Sequence, residues 1–272
     1  MTGWVEIGDR VFVRRYAFWD QNIGVVLGDD AALVIDTRMT PRQADEIRTD
    51  LRELTSLPVE VVIDTHGHSD HAFGNSVFRP ATIWAHVGCG PFLERTGEEQ
   101  RRRQIRAFPD MAEDLRAVVI DLPDRSFEEH AAIRVGGRPV ELRYLGRGHT
   151  DHDIVVGVPG SGVLFAGDLL EGGAVPSFGD SYPLDWPAAV EAMLPLVEDV
   201  VVPGHGDHAG RAFALEQLEA FRALVTLGRR VEAGELTADA ALALTPFPAY
   251  PPEHLRGALE RTLGQIRGTL ED

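Results

Sequence analysis

Lysine is absent from this chain. Each of its 26 basic side chains is an arginine, set against 43 acidic ones for a net charge of −17. So acidic a chain lacks the broad positive field that nucleic-acid binding draws on, and anionic membrane surfaces are disfavoured on the same ground. The acid excess otherwise names no partner. Cysteine occurs once, at Cys89, with no mate for an internal disulfide. That fits a reducing cytosol, and between Gly88 and Gly90 it reads as a small packing residue rather than a reactive thiol. No stretch approaches the roughly 20 apolar residues that span a bilayer. The N-terminus has no basic start followed by an apolar run, so no signal peptide is expected and the expected location is cytoplasmic. At 272 residues and 44% hydrophobic, the chain can bury a full core.

Short apolar runs at 11–13, 24–27 and 32–36 predict strands, with Gly28-Asp29-Asp30 as a hairpin turn. Thr40-Pro41-Arg42-Gln43 resembles a capping box with Pro at the first helical position. Ala44, Ile47, Leu51 and Leu54 then follow at helical spacing. A buried strand is predicted at 59–63. Residues 91–116, with Arg101-Arg102-Arg103, read as a helical surface excursion whose arginines form a solvated face. Strands are expected again at 117–120, 132–135, 140–145, 154–158, 163–166 and 200–202, with a helix near 187–197. After residue 210 the pattern is helical only, with Thr237 as an N-cap. The link Pro246–Pro252 is too apolar for a free tether and is expected to pack on the body.

Chemistry concentrates in Thr65-His66-Gly67-His68-Ser69-Asp70-His71, just past the 59–63 strand. Imidazoles and a carboxylate this close are the N and O ligands of a divalent first-row metal. Three histidines among ten can cluster by chance, but the added Asp70, the glycine spacer and the preceding strand make a metal site the better reading. Three later positions repeat the placement of a potential ligand past a strand beside glycine: His149 in Gly148-His149-Thr150, Asp168 in Gly167-Asp168, and His205 in Pro203-Gly204-His205-Gly206. Glycine lets backbone turn sharply and approach closely, and strand ends hold ligands in place.

This ordered set resembles the metallo-β-lactamase superfamily over about residues 5–208. The resemblance implies an α/β fold, a four-layer αβ/βα sandwich with the metals at one edge. Residues 1–272 then form one such domain, with C-terminal helices at about 210–270 packed on it. It implies that His66, His68 and His149 hold a first metal, that Asp70, His71 and His205 hold a second, and that Asp168 bridges them. Asp70 is also assigned as the catalytic carboxylate. Two divalent ions are expected, zinc first by ligand type, with iron or manganese as alternatives. A hydroxide between them would attack a small ester, thioester, lactone or amide.

Neighbouring residues are weighed separately. Asp64, Thr65 and Thr150 stand equally as orienting residues or ordinary loop hydrogen bonders. His152 is placed at the pocket mouth, Asn75 in loop turning, and His86, His130 and His208 on the structure or surface. Tyr16, Phe18, Trp19, Tyr182 and Trp186 are candidates for an apolar pocket wall, with core packing the blander reading. Departures from related patterns narrow the activity. Two-zinc β-lactamases with a cysteine ligand have Cys where Asp168 stands and Lys at the place of Glu171. A carboxylate there repels an anionic substrate, which argues against efficient β-lactam hydrolysis. Di-iron flavin-linked reductases have Glu where His68 stands. The nucleases of the fold carry an extra domain, and glyoxalase II relatives hold substrate with a C-terminal basic cluster not evident here beyond Arg229-Arg230. The rivals are a mononuclear iron dioxygenase acting on a persulfide, a weak β-lactamase, and a metal-stabilised binding protein. The partner expected is a small-molecule substrate, and an apolar face on the C-terminal helices would suit a homodimer.

Overall fold

The computed structural model describes residues 3–244, 246–247 and 255–270. In chain order these form β1 (Val5–Gly8), β2 (Val11–Tyr16), β3 (Gln21–Leu27), β4 (Ala32–Ile35), α1 (Pro41–Leu54), β5 (Val59–Ile63), α2 (Ser69–Ala72), β6 (Thr82–His86), α3 (Cys89–Ala107) and α4 (Ala112–Arg116). There follow β7 (Arg125–Phe127), β8 (His130–Val135), β9 (Arg138–Tyr144), β10 (Ile154–Val158), β11 (Val163–Glu171), α5 (Trp186–Met193), β12 (Val200–His205), α6 (Arg211–Glu232), α7 (Ala238–Ala243) and α8 (Arg256–Arg267).

The strands divide into two halves. One runs β1-β2-β3-β4-β5-β6-β7 and the other β12-β11-β10-β9-β8. They are joined through the single pairing His205↔Gln21. Apolar side chains of both halves, among them Val13, Leu33 and Ile63 from one and Leu142, Val156 and Phe165 from the other, share one buried cluster. Helices cover the outer faces: α1 packs through Ala44, Ile47 and Leu51 on one side, while α5, α6 and α8 pack through Trp186, Phe221 and Leu259 on the other. The central strands contribute alternate side chains to the shared core and to a helix layer, while the edge strand β8 leaves His130, Ala132 and Arg134 exposed. The architecture is the αβ/βα sandwich expected.

Local signals in the sequence fold as the chemistry dictates. Thr40 Oγ1 accepts from Gln43 N at 3.2 Å, capping α1 with Pro41 at its first turn. Gln43 Oε1 reaches back one residue further than a capping box does, accepting from Met39 N. Thr237 caps α7 likewise. Residues 117–120 are a correction, for they form no strand. Val118 is buried with Cys89 and Leu93 of α3 and Ile120 packs on the same cluster, whereas Val119 between them is 61% exposed, so the run is a loop tucked against the helix. The edge strand β7, which reads as polar, was not foreseen. Of the Pro-rich link, Phe247 is buried beside Phe178 and Phe221; residues 248–252 lie outside the described residues. Among the described residues no helix is long and apolar enough to cross a membrane.

Candidate metal centre

All seven predicted ligands converge where the two sheet halves meet. The loop after β5 delivers His66, His68, Asp70 and His71, with α2 turning the last two back toward the sheet. His149 comes from the β9–β10 loop. Asp168 and His205 do not lie past their strands as expected but within them, because β11 continues to Glu171 and β12 to His205. The register breaks at Gly167, whose φ is +51° and whose missing Cβ leaves room for the Thr65 side chain just before Asp168. Gly204 stands where any Cβ would collide with Asp168 Oδ1, so the glycine is required for that carboxylate to seat.

The donor atoms form two trios. His68 Nδ1 lies 3.1 Å from His66 Nε2 and 2.8 Å from His149 Nε2. Asp70 Oδ2 lies 3.2 Å from His71 Nε2 and 3.3 Å from His205 Nε2. Asp168 stands between: its Oδ2 is 3.8 Å from His66, 3.5 Å from His149 and 3.4 Å from His205, and its Oδ1 is 3.4 Å from His71. Ligands at ~2.0–2.1 Å from a tetrahedral ion sit roughly 3.3 Å from one another, so the spacing suits metal ligation. His71 Nε2 and Asp168 Oδ1 are buried without a hydrogen-bond partner, a costly state for polar atoms that a cation relieves. The donor set therefore fits divalent metal.

The ring nitrogen turned away from the centre is engaged in every histidine, which fixes tautomer and orientation. His71 Nδ1 donates to Asp36 at 2.8 Å. Thr65 Oγ1 donates to the same carboxylate at 2.9 Å and faces His66 Nδ1 at 3.2 Å. His68 Nε2 donates to Asp180 at 3.0 Å, His149 Nδ1 to Ser177 O at 3.1 Å, and His205 Nδ1 to Trp19 O at 2.7 Å. Trp19 adopts φ +58° and Asp36 φ +64°, sparsely populated conformations for residues with side chains. Thr65 thus takes the orienting role. Asp64 and Thr150 do not touch a ligand; Asp64 is held by buried Asn75 at 2.8 Å, and Thr150 binds Asp153 and His152.

Burial opposes charge on each of these groups, and the neighbours decide the outcome. At His71 and His205 the carboxylates of Asp168 and Asp70 outweigh burial and raise proton affinity well above the ordinary imidazole range. Burial prevails at His66, lowered well below that range, and at His149, lowered to about 4. Asp70 and Asp168 are held well below the usual carboxylate range, because His71 and His205 outweigh burial.

A cavity of about 470 Å³ opens over the centre, bordered by His68, Asp70, His149, Asp168 and His205. Of the five aromatic candidates, Trp19 borders it. Phe18 stacks behind Trp19, and both meet Phe108 edge-on. Tyr16 is instead buried against Arg38 and bonded to Asp50. Trp186 is a core residue that donates to Leu169 O. Tyr182 lies beneath Arg147. His152 is not at the mouth; it is fully buried and its Nε2 accepts from Gly67 N at 3.0 Å, bracing the ligand loop from behind. His86 stacks on Tyr144. Glu171 does border the cavity, 3.6 Å from His149 Nδ1 and therefore at the back of that ring. Burial, and then Asp168, push it up to about 8, so the repulsion inferred from an ionised carboxylate is weakened at neutral pH.

Asp36, Asp180, Ser177 and the Trp19 carbonyl were not anticipated. Asp36 follows β4 directly, a strand-end placement that carries a signal, but without the neighbouring glycine that marks His149, Asp168 and His205.

A family model for the metallo-beta-lactamase superfamily matches residues 16–205. The chain belongs to the metallo-β-lactamase superfamily. Similar proteins include a metallo-beta-lactamase type 2 from Bacteroides fragilis, 26% identical over 75% of this chain and 79% of the relative, and one from Bacillus cereus, 26% identical over 72% and 71%. A linear primary-alkylsulfatase from Pseudomonas is 21% identical over 65% of this chain and 40% of its own length. Among solved structures, a metallo-beta-lactamase from Pontibacter korlensis superposes with TM-score 0.67 at 19% identity, covering 80% of this chain and 98% of that one. Members of the superfamily are divalent-metal-dependent hydrolases, and all seven candidate ligands, grouped closely enough to hold metal, lie within the matched span.

Proposed function

We propose that this protein is a two-metal hydrolase acting on a small ester, thioester, lactone or amide. The observation that carries the reading is Asp168, whose carboxylate lies 3.4–3.8 Å from ring nitrogens of both trios. His66, His68 and His149 would hold one ion; Asp70, His71 and His205 would hold the other, with Asp168 shared. Bound divalent ions polarise a substrate oxygen and bring the pKa of water toward neutrality; zinc suits this N/O set, and iron or manganese are compatible. Asp70 turns Oδ2 to His71 and His205, and we assign its ionised carboxylate to accept a hydrogen bond from the attacking water and orient it. Trp19 closes one side of the cavity and reduces access of bulk water. Asp36, Thr65, Asp180, Ser177 and the Trp19 carbonyl keep the imidazoles aimed.

The test is a panel of ester, thioester, lactone, amide and β-lactam substrates, run on metal-loaded wild type and His66→Ala. Turnover of at least one of the first four, lost in the variant, is the expected result. No metal-dependent turnover on any would favour a binding role. β-Lactams are included because two relatives are named for that activity. Faster turnover of β-lactams than of every other member would replace the present reading.

A further inference from the structure

The three arginines of α3 do not share one environment. Arg101 pairs with Glu98 and donates to Val118 O, and Arg102 pairs with Glu99, as Arg106 does one turn on. Arg103 has no ion pair among the described residues, and it is the arginine of this run that borders the cavity over the metal centre. The solvated face expected from the sequence therefore holds for Arg102, while Arg103 turns toward the site.

Its position is set from both sides. The next residue, Gln104, is buried and donates to Ser69 Oγ at 3.0 Å, tying this turn to the loop that carries Asp70. Phe108, which ends the helix, meets the Trp19 ring at 5.5 Å. Arg103 is thus held between the ligand loop and the aromatic wall. The acidic residues bordering the same cavity outside the ligand set are engaged: Asp20 with Arg15, Asp180 with His68, and Glu171 accepting from Ser177 N. In a chain with 43 acidic side chains, a guanidinium left without a carboxylate at the mouth of an active-site cavity is available to a ligand, and its planar fork matches an oxyanion.

We propose that Arg103 binds an anionic end of the substrate, so that this hydrolase takes small molecules joining an apolar part, seated on Trp19, to a carboxylate or comparable oxyanion. The inference rests on the hydrolase reading above and adds the substrate's charge to it.

Three acetate esters that differ in one group test it: 4-acetoxyphenylacetate, (4-acetoxyphenyl)methanesulfonate and the neutral 4-acetoxyphenylacetamide. Wild type is expected to favour an anionic member over the amide roughly tenfold or more in kcat/KM, as a charge-assisted contact allows. That ratio should fall to about one in Arg103→Ala and invert in Arg103→Glu. Preference for the carboxylate over the sulfonate would identify a planar anion, and the reverse a tetrahedral one. A ratio in Arg103→Ala equal to that of wild type overturns the proposal. Should wild type turn over none of the three, the hydrolase reading fails for these esters, and equilibrium binding decides Arg103 separately. Calorimetry of 4-hydroxyphenylacetate and 4-hydroxyphenylacetamide with the metal-loaded protein should then show tighter anion binding that Arg103→Ala abolishes. Equal anion binding in the variant refutes the role.

Discussion

Asp36 accepts from His71 Nδ1 at 2.8 Å and, through the same oxygen, from Thr65 Oγ1, which faces His66. One buried carboxylate therefore orients a candidate ligand in each trio, from a backbone conformation with φ +64° that few side chains tolerate. Asp36→Ala is expected to weaken uptake at both positions by about 10–100-fold, the usual effect of losing such a partner. Competition with a chromophoric chelator measures this. Loss confined to one trio would show that Thr65 does not transmit the effect.

The second prediction concerns α8, which lies beyond the matched span of residues 16–205. Arg261 donates from Nε to Ser181 O at 2.7 Å and from Nη2 to Asp180 O at 2.9 Å. Gln265 Oε1 accepts from Leu184 N at 2.7 Å. The helix thus pins the loop whose Asp180 holds His68. Arg261→Ala should lower stability by about 1–3 kcal/mol and selectively weaken metal uptake by the His66, His68 and His149 trio. Chemical denaturation together with metal titration checks both effects. A stability loss with unchanged metal affinity would make the contact structural alone.

The proton affinities set the direction of a pH effect. His71 and His205 are raised above the ordinary imidazole range, so in the metal-free protein their protonated forms contribute stability. That contribution is complete below the unfolded imidazole value and is lost as pH climbs through the raised folded values. Metal entry requires both rings neutral, so affinity at the trio of Asp70, His71 and His205 should fall as pH falls, and uptake there should release protons. Calorimetric titration in two buffers of different ionisation enthalpy counts them. Proton-free uptake at neutral pH would contradict the assignment of these two rings as ligands.

The sandwich was legible, and the seven candidate ligands could be picked out, because their signals are local. A strand is an apolar run, and a ligand is a His or Asp beside glycine at its end. Residues 117–120 show the limit of that rule, since an apolar loop that tucks Val118 and Ile120 against a helix looks the same as a strand. Asp36 closes a strand too, but it stands between Ile35 and Thr37 with no glycine beside it and so carries only half of that signal. Ser177 and Trp19 contribute carbonyls, for which side-chain identity carries no signal. Asp180 meets His68 across 112 residues from an irregular loop, and Arg103 differs from Arg102 only in where α3 faces. These relationships belong to tertiary packing and cannot be read from neighbouring residues.

The central claim is that Asp168 joins two trios into one two-metal centre. Metal content per chain, measured on protein purified without added metal and then reconstituted, tests it most directly when wild type is set beside Asp168→Ala. Two ions in wild type, with most of the second lost in the variant while the fold is retained by circular dichroism, is the predicted result. A single iron per chain in wild type, or two fully occupied positions in Asp168→Ala, would contradict it.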